Sequence, residues 1–222
     1  FPASELDNSI SYGPPGSSLS YSSYTDMISS MSQAYGANTP FKQCSAPGNH
    51  YEIKPIKESN VQNIAACDID CQIDAPDKGA DLNQCGQKMK DCADQALGIG
   101  EYNRVHGFCK GFNCGGFGGI AFRPGDTAVT HTGLDDIDAT FLHEDGHNNN
   151  LAHIDNGLSS TYSVCRDPDK TCIAGNAADC NEPESQRKKF YMTYCSNEQK
   201  FGPNGFQHME QNPLKTYLGA SC

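Results

Sequence analysis

An α+β chain is the fold class this sequence predicts, on three observations. Stretches with helical periodicity and recognisable end signals are separated by short strand-like runs. Two of those runs follow one another closely, ahead of the most structured helix signal in the chain. The remainder is polar and punctuated by 12 cysteines, 22 glycines and 12 prolines, as expected of a domain whose irregular parts are covalently tied.

Taken in order, residues 1–41 contain no Lys or Arg and read as a surface arm holding one short helix. Thr25 or Asp26 is suited to cap it, Ile28, Met31 and Tyr35 share a face, and Gly36 follows its end. His50 to Ile56 reads as a strand that Pro55 confines to an edge or an end. The stretch 81–97 predicts a helix with Asp81 as N-cap, because Leu82, Cys85, Met89, Cys92 and Ala96 recur at steps of three and four before Gly98. Cys85 and Cys92 then lie on its buried face, where they can tie it to neighbouring segments.

The glycine-rich stretch from Cys109 to Phe122 lacks the Lys-Ser/Thr pair of a phosphate loop and the dinucleotide fingerprint. It reads as a disulfide-tied loop leading to a strand around Ile120–Phe122. A turn at Pro124-Gly125-Asp126 leads into a second strand, Thr127–His131. Residues 154–222 are polar and cysteine-rich, with a short helix expected near 205–218. No internal repeat is evident, and 222 residues fit one domain.

The 27 acidic and 16 basic side chains leave a net charge of −11. With no basic stripe, this argues against nucleic acid or an anionic membrane as partner. No run approaches the ~18 apolar residues of a membrane-spanning helix. The cysteine density points to an oxidising compartment, hence secretion. Phe1-Pro2-Ala3-Ser4-Glu5 has neither the basic start nor the apolar core of a signal peptide, so the expectation is an already processed chain.

The chemistry is concentrated in residues 131–155. Thr132 and Asp135 resemble a capping arrangement, and Asp135 and Asp136 suit the positive end of a helix. Ile137, Phe141 and Leu142 supply its apolar face. His143 and His147, at i and i+4, project from one side and can share a zinc ion. Glu144 is placed to take a proton from water at an open metal position. His153 is the candidate third ligand. Continued helix would carry it ~9 Å along the axis and about 120° off the face, so the chain must reverse. Asn148-Asn149-Asn150 supplies residues that tolerate the left-handed backbone needed for that reversal.

His143-Glu144-x-x-His147-x-x-Asn150-x-x-His153 resembles the metzincin zinc-protease signature, with Asn where Gly is usual. Tyr191-Met192-Thr193-Tyr194 looks like the Met-turn of the same clan. The resemblance implies zinc on His143, His147 and His153, and Glu144 as general base and then acid. It also implies that Tyr194 assists the oxyanion or ligates the metal, as the similar tyrosine does in astacins and serralysins. Met192 would be structural. The cysteine-rich tail resembles adamalysins or pappalysin-like enzymes. The implied architecture has two lobes in a single catalytic domain spanning 1–222. An upper lobe of about residues 1–153 would hold a twisted mixed sheet with two main helices, and an irregular disulfide-rich lower lobe would follow from about 154. Gly119–Phe122 would be the edge strand that pairs with a peptide substrate.

The function expected from this resemblance is a secreted, monomeric zinc endopeptidase acting on peptide or protein substrates. A non-catalytic zinc-containing binding or toxin module is the rival reading, against which an intact Glu144 speaks. Asp68, Asp70, Asp74, Asp77 and Asp81 raise calcium as a second cation, although they lack EF-hand spacing. His50, His106, His131 and His208 have no ligand spacing and carry no assignment.

Overall fold

The structure, a computed structural model, describes residues 21, 24–40, 42–43, 50–51, 53, 56, 73, 77–109, 117–132, 137–151, 153, 192, 201–202, 206–207 and 209. These form a mixed α+β assembly. Helix α1 spans Tyr24–Asn38, strands β1 and β2 are Lys42–Gln43 and His50–Tyr51, and helix α2 is Lys78–Leu97. Strands β3 (Val105–Cys109), β4 (Gly119–Ala121) and β5 (Thr127–His131) precede helix α3, Ile137–Asn148.

β5 is the centre of a three-stranded sheet, parallel to β3 and antiparallel to β4. Thr127 to Thr130 are all buried, because helices cover both faces. The two-residue alternation of a strand then sorts the side chains. One face sends Val129 and Ile120 into an apolar cluster with Leu82, Cys85 and Met89 of α2. The other sends Phe108 into a cluster with Phe141 and Leu142 of α3, and with Met27, Met31 and Tyr35 of α1. Ring contacts extend this second face, with the His106 and Phe141 ring centroids 4.7 Å apart in a tilted arrangement.

The two helices outside the sheet are explained by their apolar stripes. In α1 the buried positions are Met27, Met31 and Tyr35, and Ile28 lies at the margin. In α2 the expected start at Asp81 moves one turn earlier. Asp77 takes the N-cap position without a side-chain cap bond, and Asp81 donates its backbone N–H to the Asp77 carbonyl at 3.0 Å. The added turn, Lys78-Gly79-Ala80, is exposed, so it carries no apolar periodicity to announce it. Leu82, Cys85 and Cys92 are buried as expected, and both cysteines are disulfide-bonded.

Two other expectations change. β2 covers only His50–Tyr51 and pairs in parallel with Lys42–Gln43. β3, a strand the sequence did not announce, ends at Cys109, where the expected loop begins, and contributes a full ladder from Val105 to Cys109. Near the expected 205–218 helix, Phe206, Gln207 and Met209 are helical, and the rest of that segment lies outside the described residues. No described helix is long and apolar enough to cross a membrane.

Leu142 is fully buried between sheet and α1, whereas Ile99 is 87% exposed beyond the end of α2. Leu142→Ala is expected to cost about 2–5 kcal/mol in urea unfolding. Ile99→Ala should stay within about 0.5 kcal/mol of the parent.

Candidate metal centre

His143, Glu144 and His147 stand on α3, which is pressed into the core through Ile137, Phe141 and Leu142. The helix then stops abruptly. Asn150 adopts a left-handed backbone with φ 65°. Its N–H donates to the His147 carbonyl at 2.8 Å, and the Leu151 N–H donates to the Gly146 carbonyl at 2.9 Å. This nested pair is a Schellman cap, with Asn at the position glycine usually fills. Leu151 is buried immediately after it, which anchors the chain as it turns back.

The reversal delivers His153 to the face carrying the other two imidazoles. His153 Nε2 lies 3.0 Å from His143 Nε2 and 3.0 Å from His147 Nε2. All three residues offer ligand atoms within 4.8 Å of one another, the one such group of three among the described residues. Two nitrogens 3.0 Å apart can both lie ~2.0–2.1 Å from one ion, the zinc–imidazole distance.

Hydrogen bonding fixes the donor set further. His147 Nδ1 sits 2.9 Å from the Leu151 carbonyl, which only accepts, so Nδ1 carries the proton and Nε2 presents its lone pair. His153 Nε2 has at most one proton for two ring nitrogens. That proton can be directed at only one of these two short contacts at full strength, and the nitrogens converging there suit a cation. Burial lowers the pKa of His147, and the Arg123 charge adds to this. Burial also drives that of His153 far below the usual imidazole range, with His143, His147 and Arg123 contributing. Neutral imidazoles are the ligating form. The residues present fit zinc.

Glu144 is only 5% exposed and lies against Gly119 of β4. Burial raises its pKa from 4.5 to about 8, so without a cation nearby it holds its proton at neutral pH. A positive charge beside it favours ionisation.

Arg104 and Asp145, which the sequence reading did not single out, lock the helix end together with Asn148 and Asn149. Arg104, just ahead of β3, pairs with Asp145 at 2.7 Å and donates to the Asn149 amide oxygen at 3.1 Å. Asn149 donates back to the Asp145 carboxylate at 2.8 Å. Asn148 donates to the carbonyls of Phe122 and Thr127 at 2.9 and 3.0 Å, fastening the helix end to the β4–β5 turn. The signal for this network was Asp145 itself, since a charge inside a buried helix end needs a partner.

Beneath the helix, Met192 is buried in a turn. A Cβ on Gly146 would overlap the Met192 sulfur and approach Phe201 to 2.9 Å. Met192 therefore supports the turn of helix between His143 and His147. Tyr194, expected to assist the oxyanion, lies outside the described residues, as do Asp68, Asp70 and Asp74 of the expected calcium cluster. His106 is held by Thr130 Oγ1 at 2.8 Å, and burial lowers its pKa to about 4. It is a core histidine with no ligand role. No known protein family, curated protein or solved structure matches the chain.

Asn150→Gly should preserve thermal stability and zinc content, because glycine accepts the same backbone. Asn150→Ile should cost about 1–2 kcal/mol and lower zinc content, read by calorimetry and elemental analysis. The metal-free chain has its own pH signature. Between the ordinary carboxyl value of 4.5 and about 8, native Glu144 retains a proton that the unfolded chain releases. Its contribution is therefore lost as pH rises through that window. Glu144→Gln in chelator should melt above the parent at pH 8, with the difference shrinking towards pH 5.

Proposed function

We propose that this chain is a zinc-dependent endopeptidase of metzincin type, secreted and acting on peptide or protein substrates. The observation that carries the reading is the convergence of His143, His147 and His153 on one point, with the Glu144 carboxylate buried on the adjoining turn of the same helix. Three neutral imidazoles make an open ligand set with room for solvent, unlike the closed four-ligand sets of structural sites. Zinc held by His143, His147 and His153 would supply Lewis acidity, lowering the pKa of water towards ~7 and polarising a carbonyl.

The chain's own groups divide the remaining work. Glu144 takes the proton of the attacking water and returns it to the departing nitrogen, so one carboxylate serves as base and then acid. Burial strengthens its electrostatic interactions by excluding water. β4, the edge of the three-stranded sheet, lies beside Glu144 and offers main-chain groups for pairing an extended peptide across the site. Tyr194 is proposed to stabilise the oxyanion that forms at the scissile carbonyl. The wider architecture proposed is a two-lobe domain, with the described sheet and helices above and residues after about 153 below.

Hydrolysis of casein should be abolished by a chelator and restored by zinc. Glu144→Ala should retain one zinc per chain and lose at least about 10²-fold in kcat. His153→Ala should lose zinc and activity together. Zinc-replete protein that cuts no peptide in a diverse library would point instead to a binding module, and equal zinc loss in both variants would contradict the assigned roles.

A further inference from the structure

We infer that Gly119 is a positioning residue for Glu144, because the space its missing Cβ would fill is occupied by the glutamate side chain. This rests on the hydrolase reading above, and extends it from α3 to the edge strand.

A Cβ built on Gly119 would lie 2.6 Å from both Glu144 Cγ and Oε1 and 2.8 Å from Cδ. Real Cβ atoms do not approach so closely. The three atoms belong to the lower side chain and its carboxylate, so no small rotation of one terminal atom relieves the overlap. Glycine is not required here for the backbone, since positive φ among the described glycines is confined to Gly98 and Gly100. Within a strand glycine is also a poor choice, for it packs nothing and gives up the most conformational freedom. What the position gains is the close approach of another group.

The strand is held where that approach matters. Gly119 pairs in register with Thr130 of the buried central strand, and the preceding Gly118 carbonyl accepts from the His131 N–H at 2.8 Å. Thr130 is fully buried, so β4 cannot drift from α3 without breaking the sheet. Glu144 in turn sits on a helix locked by Arg104, Asn148 and the Asn150 cap. The carboxylate is therefore clamped between two fixed elements. Its direction relative to the histidines is set by strand as well as helix. One methyl group on Gly119 pushes it out of line while leaving the three imidazoles in place.

The test is a double-substitution cycle read first on stability, in chelator, with no metal or substrate present. Gly119→Ala is expected to lower the melting temperature by several degrees in the parent. In the Glu144→Ala background the same change should lower it far less, because the overlapping side chain is gone. In the zinc-loaded parent, Gly119→Ala is expected to keep one zinc per chain. It should lose about 10–100-fold in kcat, with KM within about twofold. Gly119→Ala combined with Glu144→Asp, one methylene shorter, should recover part of that loss relative to the product of the single effects.

Equal loss of melting temperature in both backgrounds, including failure of both to fold, would overturn the inference, as would zinc loss in Gly119→Ala alone. If the stability coupling holds but the parent turns over no substrate, the steric contact stands. It is then the hydrolase reading, and with it the catalytic meaning of Gly119, that fails.

Discussion

The pair of hydrogen bonds that closes α3 over Asn150 governs everything else in this site. Two ligands at i and i+4 come free with any helix, but the third requires the chain to turn back within six residues of the second. The left-handed Asn150 and the Leu151 N–H to Gly146 bond accomplish this turn. Leu151 does two further things. Its side chain is buried in the core, and its carbonyl accepts from His147 Nδ1. The residue that anchors the reversal thus also orients His147, so helix termination and imidazole orientation are one structural event.

A cap of this kind holds only if the helix end cannot fray. The Arg104–Asp145–Asn149 network supplies that resistance from β3, and Asn148 supplies it from the β4–β5 turn. Removing one partner of a fully buried pair typically costs ~3–5 kcal/mol, mostly from the charge left behind, and this partly exposed pair lies below that range. Its value here is geometric. Three consecutive asparagines have three distinct tasks: Asn148 binds the sheet turn, Asn149 binds the charged pair, and Asn150 takes the strained backbone.

Much of this was legible in the sequence, for identifiable reasons. The i, i+4 histidines, the need for reversal before His153 and the buried stripes of α1 and α2 follow from helix periodicity alone. The strand Thr127–His131 was bounded by a clear turn. β3 was not seen, because its His106 packs among the rings of Phe108 and Phe141 while Gly107 lies against Met89, so the run shows no apolar–polar alternation. The first turn of α2 is exposed and so leaves no periodic trace. The contacts of Arg104 with Asp145, and of Gly119 with Glu144, join residues 25 or more positions apart, and only the fold can bring them together.

The proposed chemistry depends on three imidazole nitrogens sharing one ion. X-ray absorption at the zinc edge of the purified, zinc-loaded chain measures this directly. The expected spectrum has first-shell nitrogen and oxygen scatterers at ~2.0–2.1 Å, with multiple scattering from three imidazole rings. A sulfur shell at ~2.3 Å, or a fit that accepts only two rings, would contradict it.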